Sequence, residues 1–329
     1  MFTRSRGSAT GLTRLATASG AISTMNPSHV VLLAGLASVV GVSLTAQSRF
    51  RVDVHLVSLS ATVVDRGALV SGLTQEDFEV YEDGRLQSVE FFTSGDDGES
   101  RAPLHLALLF DTSGSMTEDI RLSRTSAIKF LNALPYAEDM TLVEFDTEVR
   151  LSRYSQDTFA RLVERIRGRK PQGLTALYDA LGTYLAGASE VDGRKVLVLY
   201  TDGGDTRSSM SWSDTLGLLR ASDVTIYVVG FLDHQSSSSG FGQRRQLKQM
   251  AEITGGRAFF PRDGKDVDVA YGKILSELGA QYSIGYVSTD TRMDGRWRKV
   301  EIKVTRPELK QADIRSRQGY FARWQEAAP

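Results

Sequence analysis

Asp111, Ser113 and Ser115 stand at alternate positions of one short segment, Asp111-Thr-Ser-Gly-Ser-Met116, directly after an apolar run. A tight turn with an acid and two hydroxyls at this spacing points three oxygens at one centre. Two more oxygen donors stand later in the chain. Thr175 precedes a helical pattern within Gly173-Leu-Thr-Ala-Leu-Tyr-Asp-Ala-Leu181, and Asp202 follows the strand-like Val198-Leu-Tyr-Thr201. None of these donors is nitrogen or sulfur. Such a set suits a small hard dication, Mg²⁺ first and Mn²⁺ or Ca²⁺ as alternatives, which takes oxygen ligands and commonly retains water. With mostly neutral hydroxyls as direct ligands, the metal would keep much of its charge and accept a carboxylate from outside. The competing account makes the hydroxyls and acids mere helix caps and turn closers, but capping does not require all five together.

The elements that must position these residues follow an alternating pattern. Strand-like runs cover Leu104 to Phe110, Met140 to Phe145, Val196 to Thr201, Val224 to Gly230 and Ala258 to Phe260. Several are almost continuously apolar, as strands covered on both faces must be. Helical patterns lie between them at Ile120 to Leu134, Phe159 to Ile166, Leu177 to Ala188, Leu216 to Ala221 and Leu247 to Thr254, with Val267 to Leu278 after the last strand. The fold class is therefore α/β, a doubly wound and mostly parallel sheet, with ligands expected beyond the carboxyl ends of the strands.

Sheet-like sequence flanks this region on both sides. Val52, Val54 and Leu56 alternate with polar residues, and Leu59, Ala61 and Val63 follow on the other parity. Phe78 to Glu82 and Leu86 to Phe92 flank Asp83-Gly84, a dipeptide suited to a tight hairpin. After the α/β region come Tyr282 to Val287, Trp297 to Val304 and Ile314 to Phe321. Neither flank can bury a good core alone. The expected organisation is thus a leader or anchor at 1–47, a β segment and linker at 48–102, the α/β domain at 103–280, and a β segment at 281–329. This last segment would pack with 48–102 into a smaller β-sandwich-like domain.

The donor pattern resembles the von Willebrand factor type A domain, whose metal-ion-dependent adhesion site is built on an Asp-x-Ser-x-Ser turn, a distant Thr and a distant Asp. The resemblance covers about residues 103–280 and implies roles. Ser113, Ser115 and Thr175 would bind the metal through their hydroxyls, and Asp111 and Asp202 would act through water or by orienting the hydroxyls. The flanks Gly72-Leu-Thr-Gln-Glu-Asp-Phe-Glu-Val-Tyr-Glu-Asp-Gly84, Tyr282-Ser-Ile-Gly-Tyr286 and Arg317-Gln-Gly-Tyr-Phe321 look like a bacterial, particularly acidobacterial, subgroup.

The function expected from this resemblance is metal-dependent binding of a protein that offers an Asp or Glu. A scaffold or assembly subunit of an envelope complex is the alternative, and a metal-assisted hydrolase ranks below both. No enzyme is expected. The histidines His29, His55, His105 and His234 form no evident triad with Ser113, and Gly-x-Ser-x-Gly, His-Glu-x-x-His and P-loop patterns are absent. A formal charge of -1 leaves no global basic field for nucleic acid. The absence of cysteine excludes disulfides, thiolate metal sites and a Cys nucleophile.

The first fifty residues carry Arg4, Arg6, Arg14 and Arg49, no acid, and an apolar run from Val30 to Ala46. This is the shape of an export signal, cleaved or kept as a membrane anchor, with Met25 as a second candidate start. A periplasmic, secreted or envelope-anchored protein is expected. The segment Leu232 to Arg245 reads as a loop on the metal face, where Phe241, Arg244 and Arg245 would grip a partner or form a flexible insertion. Trp212, after Ser208-Ser-Met-Ser211, belongs either to this rim or to the start of a core helix.

Overall fold

The computed structural model describes residues 56–95, 102–134, 136–189, 191–233 and 237–324. The expected leader, Val52, Val54, His29, His55 and His234 lie outside the described residues. Among those described, no helix is long and apolar enough to cross a membrane.

Strand β1, Leu56–Asp65, buries Val57, Leu59, Ala61 and Val63, whereas Leu56 is 41% exposed. The inward parity therefore includes Val57 and excludes Leu56. The reason is register: Val57, Leu59 and Ala61 lie opposite Tyr286, Ile284 and Tyr282, and directly opposed residues share a face. After the short β2 (Ala68–Leu69), strands β3 (Phe78–Glu82) and β4 (Arg85–Gln87) form a hairpin. Asp83 and Gly84 both take the positive φ that a tight hairpin turn needs, at 47° and 80°.

The expected strand from Leu86 to Phe92 is broken at Ser88. Its second half, β5 (Val89–Thr93), joins a different sheet, because two facing sheets are needed to close the core.

The α/β body follows in the order β6 (Leu104–Asp111), α1 (Ile120–Asn132), β7 (Asp139–Phe145), β8 (Val149–Tyr154), α2 (Phe159–Gly168), α3 (Leu177–Ala188), β9 (Arg194–Thr201), α4 (Trp212–Ala221), β10 (Val224–Gly230), α5 (Ser237–Ile253), β11 (Ala258–Phe259) and α6 (Gly264–Ala280). Its sheet has the order β11-β10-β9-β6-β7-β8 and is parallel except for β8, an antiparallel edge strand that the sequence reading missed. Alternate residues of the central strands feed opposite layers. Leu106, Leu108, Phe110, Val198 and Tyr200 pack with α1, α2 and α6, while Ala107, Leu109, Leu197 and Leu199 pack with α3, α4 and α5. All eight residues of β9 are buried.

Helix α5 begins well before the expected Leu247. Leu247, Met250 and Ala251 line its buried face, and the Ser/Gly-rich stretch from Ser237 extends the same helix N-terminally. Phe241, Arg244 and Arg245 are thus helical residues, not loop residues.

The chain then runs through β12 (Tyr282–Val287), β13 (Trp297–Val304), β14 (Asp313–Arg315) and β15 (Gly319–Phe321). The expected strand from Ile314 to Phe321 is two pieces, one in each flanking sheet: β14 pairs with β1, and β15 with β13. These antiparallel sheets have the orders β14-β1-β12-β5, with β2 beside β1, and β15-β13-β3-β4. Their facing residues form a third core that mixes Val57, Leu59 and Val80 from the N-terminal side with Tyr282, Ile284, Tyr286 and Ile302 from the C-terminal side. Full burial of each such side chain contributes about 1.5–3 kcal/mol.

Thr93 of β5 is paired with Ser283 of β12, so the chain departs for the α/β body and returns from it on adjacent strands. A Cβ on Gly95 would lie 1.9 Å from the Gly279 carbonyl oxygen, so this close crossing admits only glycine. Beside it, buried Glu277 of α6 accepts an ion pair from Arg315 of β14 at 2.8 Å, and Arg194 donates to the Leu278 carbonyl and Gln281 Oε1.

Candidate functional site

The Asp-x-Ser-x-Ser segment leaves the end of β6, where the central strands stop. Asp111 is fully buried. Its Oδ1 accepts the Ser113 N–H at 2.9 Å and its Oδ2 the Thr201 hydroxyl at 2.6 Å. The first bond closes the turn, and as a result the Ser113 and Ser115 hydroxyls come within 3.0 Å of each other.

Backbone bonds dock the second loop against this turn. Gly114 N–H donates to the Gly173 carbonyl at 3.0 Å and Gln172 N–H to the Thr112 carbonyl at 2.8 Å, while Thr112 N–H donates to the Phe145 carbonyl. Thr175 follows, 4% exposed, with its N–H donating to the Thr206 hydroxyl and its carbonyl accepting from Thr206 and Arg207 N–H. Those last contacts tie it to the third loop, which carries Asp202. That residue is 3% exposed.

The electrostatics are those of two acids held together away from water. Burial pushes the Asp111 carboxyl up to about 7, the charge of Asp202 adds to the rise, and the bonds from Ser113 and Thr201 oppose it. Asp202 is raised as well, by burial, with the Ser115 hydroxyl pulling the other way. A cation placed between these groups reverses the penalty for both. Two carboxylates and the Ser113 and Ser115 hydroxyls, with Thr175 on the adjoining loop and no softer donor, fit a hard dication rather than a thiolate- or imidazole-seeking metal. Among the described residues no three His, Asp or Glu side chains converge into a metal group, at this site or elsewhere, so any cation held here would depend on the hydroxyls beside the two acids.

Several positioning residues escaped the sequence reading. Thr201, the last residue of β9, donates to Asp111 and accepts the Gly203 N–H at 3.0 Å, so it orients one acid and shapes the loop holding the other. The visible signal was a hydroxyl ending the apolar run from Val196 to Tyr200. Asp205 accepts from Tyr178 N–H and from the Ser208 hydroxyl, and Asp179 accepts Ser209 and Met210 N–H, so the third loop is stitched to the first turn of α3. Asp146, buried after β7, accepts both guanidinium arms of Arg150 and one of Arg169, fixing the edge hairpin beside Thr147. Nothing in the spacing of these acids announced such partners.

Trp212 begins α4 and packs on Tyr178, ring centroids 5.7 Å apart, so it is a half-buried core residue. His105 stands at the opposite end of β6 from Ser113. Its ring nitrogens meet the Asp139 carboxylate and the Asp192 carbonyl. Ser113 therefore has no imidazole neighbour among the described histidines.

Comparison with known proteins matches the von Willebrand factor type A domain to residues 105–272, half of the chain. The chain is 25% identical over 206 residues to the uncharacterized protein YwmC of Bacillus subtilis, covering 56% of this chain and 88% of that one. A von Willebrand factor type A structure from Catenulispora acidiphila is 12% identical with a TM-score of 0.44, covering 80% of this chain and 76% of that one. A mutant of the PilB minor pilin from Streptococcus sanguinis is 14% identical with a TM-score of 0.44, covering 56% of this chain and 63% of the pilin chain, less than two thirds of its length. Likeness at these scores says nothing of what the chain binds. With the profile spanning the sheet and the loops that carry all five oxygen donors, the chain belongs to the von Willebrand factor type A domain family.

Proposed function

We propose that residues 103–280 form a metal-ion-dependent protein-binding module. Ser113, Ser115 and Thr175 would hold Mg²⁺ through their hydroxyls, with Asp111 and Asp202 orienting them or holding metal-bound water. The observation that carries this reading is the pair of buried acids, Asp111 and Asp202, each raised by burial and facing the paired Ser113 and Ser115 hydroxyls. A bound dication would supply positive charge there and a coordination position for an Asp or Glu of a partner protein. Among the described residues around Asp111 and Asp202 the groups named position oxygens, and the reading we propose is binding without turnover. The acid-free, Arg-bearing first fifty residues with their apolar run support export to the envelope or beyond it.

Calorimetry of the full chain with Mg²⁺ and Mn²⁺, beside Asp111→Ala and Asp202→Ala, tests this. Binding that disappears in both variants while each keeps its far-UV circular dichroism supports the module. Equal heats in wild type and variants, or none in wild type up to millimolar metal, sink it. An immobilised wild-type chain should then capture a protein partner with Mg²⁺ and release it with chelator.

A further inference from the structure

Helix α5 presses its inner face against the loop that follows Asp202. A Cβ on Gly204 would lie 2.9 Å from the Gln243 side-chain nitrogen, and one on Gly203 would lie 3.0 Å from Leu247, so the loop and helix are in direct contact. The outer face of the same helical turn carries Phe241, 73% exposed, with Arg244 and Arg245 at the i+3 and i+4 positions that share its side. Arg244 is held in place by its guanidinium, 4.1 Å above the Phe260 ring. On the neighbouring loop Arg207 is exposed, and its N–H is fixed to the Thr175 carbonyl.

Three carboxylates on the adjoining segments are engaged by other groups. Asp205 and Asp179 are occupied by backbone N–H groups and Ser208, and Asp233 faces Arg262 at 3.9 Å. Among the described residues no acid pairs with Arg207, Arg244 or Arg245. One flank of the site therefore carries Arg207 on the loop after Asp202 and, on the adjoining helical turn, an exposed aromatic ring with two arginines at i+3 and i+4, beside a position suited to a metal cation.

We infer that this flank, formed by Arg207, Phe241, Arg244 and Arg245, selects the partner: an acidic protein segment with an apolar or aromatic side chain close to its metal-seeking carboxylate. The inference rests on the proposed metal-dependent reading and deepens it. Guanidiniums pair with flanking carboxylates in planar, two-pronged geometry, and the exposed ring gives an apolar anchor. The charges would also steer association, an effect screened over about 8 Å at physiological salt.

The test uses the full chain and three synthetic octapeptides on a sensor surface. One has a single Asp flanked by Glu residues and a Phe; a second replaces Glu with Ser; a third replaces Phe with Ala. With Mg²⁺, the first should bind at least ten-fold tighter than the second and several-fold tighter than the third. The Arg244→Glu/Arg245→Glu variant should lose at least ten-fold for the first peptide and keep its Mg²⁺ affinity within two-fold. Phe241→Ser should erase the difference between the first and third.

Equal binding of the charged and neutral peptides, or no loss in the reversal variant while Mg²⁺ still binds, overturns the selection surface and leaves the metal reading standing. Peptide binding that survives chelator but fails in the reversal variant upholds the basic face and counts against the metal reading. Tight heparin binding with no acidic-peptide binding overturns the proposal in favour of a sulfated glycan.

Discussion

Thr201→Val isolates one hydroxyl at the centre of the site. Valine keeps the branched shape and strand preference of threonine, so the packing of β9 is largely conserved. What disappears is the 2.6 Å bond to Asp111 Oδ2 and the acceptor for Gly203 N–H. A hydrogen bond to a charged group contributes about 1.5–3 kcal/mol, and a stranded buried N–H costs about 1–3 kcal/mol. Allowing for local relaxation, the loss should be about 3 kcal/mol. For a cooperative body of this size that is about 6 °C in melting temperature.

On the proposed metal-dependent reading, the same change loosens an acid that would orient the ligands, and loss of such support typically lowers metal affinity about 10–100-fold. Differential scanning calorimetry and Mg²⁺ titration read the two effects separately, and Thr201→Ser, which restores the hydroxyl, should recover most of both. A Val variant that melts within about 1 °C of wild type and binds Mg²⁺ within about two-fold would refute the role given to Thr201.

Four further outcomes follow from other parts of the structure. Asp111→Asn removes one of two buried like charges, so its metal-free melting temperature should rise while the Mg²⁺-induced increment, about 2.7 kcal/mol at a hundred-fold excess over Kd, vanishes in thermal melts. Glu82→Ala strands the hydroxyls of Tyr286, Ser288 and Tyr320, which all donate to this buried carboxylate, and should cost about 4 kcal/mol in urea unfolding. Removing residues 281–329 strips β1, β3 and β5 of their C-terminal partners and leaves only β2 beside β1 and β4 beside β3, so limited proteolysis should cut residues 56–93 in the truncated chain and spare them in the whole one. The Asp77 carboxyl is held at about 2 by hydrogen bonding to Arg306. Its contribution is therefore fully present above the ordinary carboxylate range and lost as pH falls through about 2, so Asp77→Asn should destabilise at pH 5 and cease to differ from wild type in strong acid.

The legible parts of the fold were those where one physical requirement dominates. A central strand covered on both faces is mostly apolar, and the runs from Val196 to Tyr200 of β9 and from Ile226 to Val229 of β10 announced themselves that way, although β9 also buries Arg194 and Lys195; the Asp83-Gly84 turn announced its own hairpin. Residues whose partner strand decides their face were less legible. Leu56 and Val57 exchange roles because Tyr286 lies opposite Val57, and Ser88 breaks a continuous β pattern because its halves serve two sheets. The helical start of α5 was hidden by serines and glycines, residues of poor helix propensity that the buried Leu247 face carries along.

At the candidate site, the five residues proposed as oxygen donors were visible by type and spacing. The supporting Thr201, Asp179 and Asp205 were not, since their bonds join segments that sequence distance separates.

The crossing at Gly95 and Gly279 has a consequence for how this architecture is inherited and re-engineered. The α/β body is spliced into a single corner of the flanking sheet, where Thr93 and Ser283 are already paired as neighbours in an antiparallel ladder. Excising everything between them and bridging the gap with a two-residue turn would turn β5 and β12 into an ordinary hairpin, with no other strand rewired. The recipient sheets thus need only one loop to accommodate a large cargo. A differently specialised α/β body with similarly close ends would fit the same socket.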